Sequence, residues 1–172
     1  MSSGADASKV RLLVLDADGT LTDGGILVDG HGLEMKRFSV RDGFAVRCWL
    51  RSGREVAVIT GRGELALRHR LSDLGVRHLV TASGPKGAVI QELLGRVGVP
   101  ADQTAAMGDD LPDLPMLHRV GYPMAVGDAV DEVKKASVWT ARAAGGHGAV
   151  REAVEHLLRA AGEWAGVVEG FR

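Results

Sequence analysis

Two carboxylates stand two positions apart in Asp16-Ala17-Asp18-Gly19-Thr20-Leu21-Thr22, directly behind an apolar run at residues 11–15. Along a strand that spacing puts both side chains on one face, and at a strand's end a glycine turn can aim them together. Carboxylates held this close repel, which favours a bound cation or a shared proton. A hard divalent ion such as Mg²⁺ suits oxygen donors of this kind. Taken alone, Asp-x-Asp-Gly serves equally as a solvated turn or a calcium loop. Further chemistry-bearing residues follow other apolar runs: Thr60-Gly61-Arg62 after residues 55–59, and Gly108-Asp109-Asp110 with Asp113 after residues 104–107. Lys86 opens a helical pattern. A hydroxyl, an ammonium and a second acidic cluster converging on Asp16 and Asp18 make a site for phosphate and metal.

Each residue also has a simpler role. Thr60 can cap a helix, Lys86 alone can be a solvated charge, and Asp109 and Asp110 can cap the helix starting near Leu111-Pro112. The elements that position them decide between these roles. Short apolar runs at 11–15, 55–59, 77–80, 104–107 and 122–126 alternate with helical periodicity. That pattern predicts an α/β fold, a Rossmann-like parallel sheet with helices on both faces. Helices are expected over about 64–74, stopped by Gly75, and over 86–97, stopped by Gly98 and Pro100. Val150, Val154, Leu157 and Leu158 form the inner face of a closing helix. In a parallel sheet the motif-bearing strand ends gather at one edge, where ligands of open α/β folds bind.

Residues 25–40 break the alternation. Ile26-Leu27-Val28 and residues 33–38 are β-rich, and Asp29-Gly30-His31-Gly32 separates them, which predicts a hairpin flap at the mouth of the sheet. At 172 residues and 45% hydrophobic content, the chain is expected to form one domain over 9–172 behind a disordered leader at 1–8. Lys and Arg total 21 against 22 Asp and Glu, so the net charge of -1 offers no broad field for nucleic acid or an anionic membrane. An aromatic content of 4% also argues against a base-stacking surface. No apolar run approaches the roughly 20 residues that span a bilayer, so a soluble, cytoplasmic protein is expected. The single Cys48 excludes an intramolecular disulfide and reads as a buried structural thiol.

The four ordered motifs resemble the haloacid dehalogenase superfamily of phosphatases over nearly all of the chain after the leader. The resemblance implies that Asp16 attacks phosphorus and becomes an acylphosphate, while Asp18 protonates the leaving oxygen and later activates water. It further implies that Thr60, Gly61 and Lys86 hold the phosphoryl oxygens, and that Mg²⁺ is bound by Asp16, the Asp18 backbone carbonyl and Asp109. Asp110 and Asp113 would support metal waters and Lys86.

Most larger relatives carry a separate cap domain, and here only the hairpin is inserted. That format, with Phe38-Ser39-Val40-Arg41-Asp42-Gly43 and the segment from Ala144 through Gly145, Gly146, His147 and Gly148 to Arg151 and Glu152, resembles the capless 3-deoxy-D-manno-octulosonate 8-phosphate phosphatase group. The resemblance implies a phosphorylated acidic sugar as substrate. It also implies a homotetramer whose hairpins form a central barrel and whose neighbouring subunits cover each other's active sites. Arg62, Gly146 and Arg151 would then meet the substrate, an acidic sugar needing a cation for its carboxylate. Arg62 is equally suited to a salt bridge within the fold, Arg151 to pairing with Glu152 or Glu155, His147 to a surface loop, and Arg41 with Asp42, ahead of a helix, to a structural pair near the site or to support of the flap. Thr81-Ala82-Ser83-Gly84-Pro85 before Lys86 departs from the Gln- and Asn-containing segment usual in the octulosonate group. Two alternatives therefore stand: a phosphatase for 9-phosphates of nine-carbon sialic-type acids, and a non-catalytic tetramerising module for a sugar-nucleotide enzyme. The latter is expected to lose Asp16, Asp18 or Lys86, and all three are present.

Overall fold

Leu12, Leu13, Val14 and Leu15 are each fully buried, as a strand covered on both faces must be. In this computed structural model, which describes residues 5–63, 65–82 and 84–172, they form β1 (Leu12–Leu15), the inner strand of a parallel sheet. β4 (Glu55–Thr60) and β6 (Thr104–Gly108) flank it. β5 (His78–Thr81) forms one edge, and β7 (Tyr122–Ala125) and β8 (Trp139–Thr140) extend the other, giving the order β5-β4-β1-β6-β7-β8. The β2 (Leu27–Val28) and β3 (Glu34–Met35) pair makes a separate antiparallel hairpin.

Right-handed crossovers place the helices. Moving from β1 outward to β5 puts α1 (Val40–Arg51) and α2 (Leu65–Leu74) on one face. Returning across β1 to β6 and on to β8 puts α3 (Lys86–Val97), α4 (Leu114–Leu117) and α5 (Asp131–Ala136) on the other. α6 (Ala149–Ala160) comes back to lie along α1, and α7 (Trp164–Glu169) packs on α6. The inner face of α6 holds Val150, Val154, Leu157 and Leu158, as its periodicity predicts. Cys48 is buried in α1.

Several expectations shift. Val10 is already buried, and Asp6 accepts a hydrogen bond from the Ser8 amide at 3.0 Å, capping a 3₁₀ turn at Ala7–Lys9. The leader expected through residue 8 is thus structured at its end. Arg41 and Asp42 lie inside the first turn of α1, because Ser39 is its N-cap. α5, β8 and α7 were not anticipated; at two to six residues they are too short to display a period. Residues 1–4, the expected helix start at Glu64, and Ser83 in the departing loop lie outside the described residues. No helix among the described residues is long and apolar enough to cross a membrane.

Candidate active site

The sheet register brings the motifs together. Leu15 pairs with Val58 on one side and Met107 on the other, so one or two further residues carry each chain to Asp16, Thr60 and Asp109 at the same edge. The Asp16 amide continues the ladder by donating to the Met107 carbonyl at 3.0 Å. Lys86 enters from the first turn of α3, which begins after Pro85. These elements enclose a cleft of about 580 Å³ lined by Asp16, Asp18, Thr60, Gly61, Arg62, Lys86, Asp109, Asp110 and Asp113.

Lys86 is buried, and its ammonium donates to Asp16 Oδ1 at 2.5 Å and to Asp113 Oδ1 at 2.6 Å. The surface-charge alternative for Lys86 is thereby removed. Asp113 uses its other oxygen, Oδ2, to accept from the Asp109 and Asp110 amides at 2.9 and 3.4 Å. One buried carboxylate therefore shapes the β6 loop and holds the lysine. Asp110 caps the 3₁₀ turn Leu111–Asp113, accepting from the Leu111 amide at 2.7 Å, so the capping role foreseen for it is filled. Thr60 does not cap α2: its hydroxyl accepts from the Arg62 amide at 3.1 Å and shapes the turn after β4.

Asp16, Asp109 and Asp113 each offer a carboxylate oxygen within 4.8 Å of the others. Burial, then the charge of Asp113, pushes Asp16 up to about 6 against the opposing pull of Lys86. Burial and the neighbouring Asp16, Asp113 and Asp110 carboxylates raise Asp109 to about 7. Burial acts against the charge of Lys86, but Asp16 and Asp113 outweigh it and its pKa is raised. An acidic cluster that one lysine does not neutralise fits a hard divalent cation.

The backbone behind the nucleophile motif is tightly confined. Gly19 has φ +88°, and a Cβ there would lie 2.1 Å from Asp109 Oδ2. The loop before α6 presses on the same turn: a Cβ on Gly145 would lie 1.7 Å from the Gly19 carbonyl, and the Gly146 amide donates to the Thr20 carbonyl at 3.0 Å. Gly146 thus braces the Asp16–Asp18 turn from behind and is not among the residues lining the cleft. Arg151, also expected to meet substrate, lies elsewhere. Its guanidinium stacks over Trp164 at 4.9 Å and Phe44 at 5.3 Å, and its Nε is 3.5 Å from Glu155, the pairing weighed for it above. Its amide donates to Asp42 Oδ1 at 2.8 Å, and Asp42 Oδ2 accepts from Gly148 at 3.2 Å, so Asp42 supplies the side-chain cap that Gly148 cannot give α6.

Two residues of the site escaped the sequence motifs. Along the returning arm of the hairpin, Glu34, Lys36 and Phe38 are half-buried while Leu33, Met35 and Arg37 are exposed, a period of two. The inward face brings Glu34 to the Arg62 guanidinium and Lys36 to Asp18. The alternation was visible in the sequence, but not which face met the cleft.

Known proteins share this arrangement. The family model for haloacid dehalogenase-like hydrolases matches residues 78–152. The 3-deoxy-D-manno-octulosonate 8-phosphate phosphatase of Escherichia coli K12 is 42% identical over 159 residues, 92% of this chain and 85% of that protein. Among solved structures, the 3-deoxy-D-manno-octulosonate 8-phosphate phosphatase of Yersinia pestis superposes with a TM-score of 0.90 at 39% identity, covering 93% of this chain and 86% of that one. The Moraxella catarrhalis phosphatase of the same name, solved with magnesium, phosphate and KDO, gives a TM-score of 0.94 at 31% identity over 96% and 95% of the two chains. The motif order, the strand-end geometry and this near full-length similarity together establish that the chain belongs to the haloacid dehalogenase-like hydrolases, in the group of the octulosonate 8-phosphate phosphatases.

Proposed function

We propose that this phosphatase hydrolyses 3-deoxy-D-manno-octulosonate 8-phosphate with Mg²⁺ through a phosphoryl-enzyme formed on Asp16. The observation that carries the mechanism is the Lys86 bridge between Asp16 and Asp113, which holds a buried carboxylate at the cleft with a cation beside it. An Asp16 oxygen attacks phosphorus, the bond to the sugar oxygen breaks, and Asp18 supplies that oxygen with a proton. Asp18 then takes a proton from water, whose oxygen attacks phosphorus and releases phosphate and free Asp16. Lys86, Thr60 and the Gly61 backbone would receive the phosphoryl oxygens.

Asp16, Asp109 and the Asp18 carbonyl would hold Mg²⁺, which when bound offsets the repulsion between a carboxylate nucleophile and a phosphate dianion. Asp113 serves as support because both its oxygens are already engaged by Lys86 and the β6 loop. Arg62 is assigned to the sugar carboxylate, exchanging its contact with Glu34 for the substrate.

Ile26, Leu27, Val28, Leu33 and Met35 are all more than half exposed on a two-stranded hairpin, a format that is marginal by itself. This supports a homotetramer in which hairpins cover one another and neighbouring subunits close the sites. The substrate assignment rests on the near full-length similarity to the octulosonate phosphatases; the nine-carbon and non-catalytic alternatives are not favoured by it.

The test is phosphate release, with and without Mg²⁺, from octulosonate 8-phosphate, nine-carbon sugar-acid 9-phosphates, hexose 6-phosphates, nucleotides and p-nitrophenyl phosphate. A Mg²⁺-dependent preference for octulosonate 8-phosphate is expected. Preference for a 9-phosphate would reassign the substrate, and turnover unaffected by metal removal would overturn the mechanism.

A further inference from the structure

The hairpin delivers a lysine to the acid-base carboxylate. Lys36 stands one residue beyond β3, and period-two alternation turns it to the inner face with Glu34. Its side chain is only 4% exposed, and its Nζ donates to Asp18 Oδ1. Burying an ammonium is costly unless it is paired, and Asp18 offers Lys36 a carboxylate. Asp18 precedes the confined turn at Gly19, but its own carboxylate keeps 26% exposure. A side chain of that exposure has several rotamers open to it, and only some aim an oxygen at the position of the leaving group.

We infer that Lys36 is a positioning residue for the proton-transfer step, clamping one Asp18 oxygen so that the other faces the scissile bond. The inference rests on the role given to Asp18 under Proposed function. It separates the two ends of the hairpin arm chemically. Glu34 meets the arginine assigned to the sugar carboxylate, whereas Lys36 meets the acid-base carboxylate. Arg37, the next residue, points outward to Asp23 at the surface and has no part in the cleft.

Leaving-group chemistry tests the assignment. A sugar alkoxide needs a proton to leave, whereas p-nitrophenolate leaves without one. With enzyme in excess, first-turnover release of the alcohol or phenol therefore isolates the step in which Asp18 acts as acid. Lys36→Met is expected to slow release from octulosonate 8-phosphate by about 10- to 100-fold, the size of effect caused by small misplacement of a reacting group. Release of p-nitrophenol should be unchanged, which also shows that the variant is folded. Lys36→Arg should recover most of the lost rate. Arg37→Met, which removes the neighbouring ion pair of the same arm, should leave the ratio of the two substrates as in the wild type.

Equal slowing on both substrates, or no slowing on either, would overturn the role of Lys36. Asp18→Asn separates this from failure of the underlying mechanism. It should show the same split with a larger loss, about 10²- to 10⁴-fold on the sugar phosphate. If Asp18→Asn shows no split, the proton-donor role of Asp18 falls and the inference falls with it. If Asp18→Asn splits the substrates and Lys36→Met does not, only the inference is lost.

Discussion

The floor of the cleft and the hairpin above it are built by opposite means. At the floor, Asp16, Thr60, Lys86 and Asp113 are buried polar groups on the ends of core strands or helices, fixed by the sheet ladder and by one another. The hairpin has two residues in each strand, and its apolar side chains face outward. It is tied to the cleft by the inward contacts of Glu34 and Lys36. The difference teaches a division of labour. Charge repulsion among buried acids needs a rigid frame, because small displacements there change the energy steeply. An element proposed to meet other copies of the chain can be held by fewer, exchangeable contacts.

Breaking the floor should have the largest effect. Asp16→Asn removes the nucleophile and is expected to reduce kcat by at least about 10⁴-fold while thermal unfolding stays cooperative. Wild-type turnover by that variant would place the chemistry elsewhere.

The hairpin should respond differently. Met35→Lys puts a charge on its outward face, where a buried methionine contributes about 1.5–3 kcal/mol to an apolar contact. Sedimentation should show a smaller assembly, with dissociation favoured by about tenfold or more. A wild-type sedimentation profile would overturn the proposed role of the hairpin in assembly.

Metal dependence sharpens the electrostatic side of the comparison. Asp16 at about 6 and Asp109 at about 7 both lie above the ordinary aspartate value of 3.8. The metal-free native state therefore keeps protons that the unfolded chain has released, so its stability falls as pH rises from about 4 to about 7. Mg²⁺ requires the ionised carboxylates, so the Tm gain it produces should grow across the same window. Melting curves at pH 5 and pH 8 with and without Mg²⁺ decide this; an equal gain at both would contradict a cation held by these acids.

The smallest effect belongs to Arg151→Met. Loss of the stacking on Trp164 and the half-exposed pair with Glu155 should cost about 1 kcal/mol in urea unfolding, with KM unchanged. A raised KM for the sugar phosphate would instead return Arg151 to the substrate, reached through a neighbouring subunit.

The sequence made the cleft floor legible because Asp16, Thr60 and Asp109 follow apolar runs and Lys86 opens a helix, and a parallel sheet delivers such points to one edge. Lys86, Asp109 and Asp113 converge on Asp16 as the motif order predicts. The long helices were legible for the same reason, since α3 has a clear period and Gly98 to stop it. Gly146 and Arg151 were assigned to substrate from the family resemblance; in this subunit the loop carrying Gly146 packs closely on the Asp16–Asp18 turn, and Arg151 stacks on Trp164. Lys36 and Glu34 were missed because the direction in which a short hairpin leans depends on tertiary contacts, which local alternation does not encode. Asp42 was read as half of a structural pair with Arg41 because nothing local reveals that a helix starting more than a hundred residues later lacks its own cap.

Cys48 carries a practical consequence. It is the chain's one thiol, it is 5% exposed, and burial raises its pKa, so it offers little thiolate to a reagent. A single cysteine introduced at an exposed hairpin position can therefore be labelled selectively in the otherwise native protein. Spin labels placed there would report whether hairpins of different copies of the chain lie together, and a second set in the presence of inorganic phosphate would record whether the arm carrying Lys36 shifts when the cleft is filled.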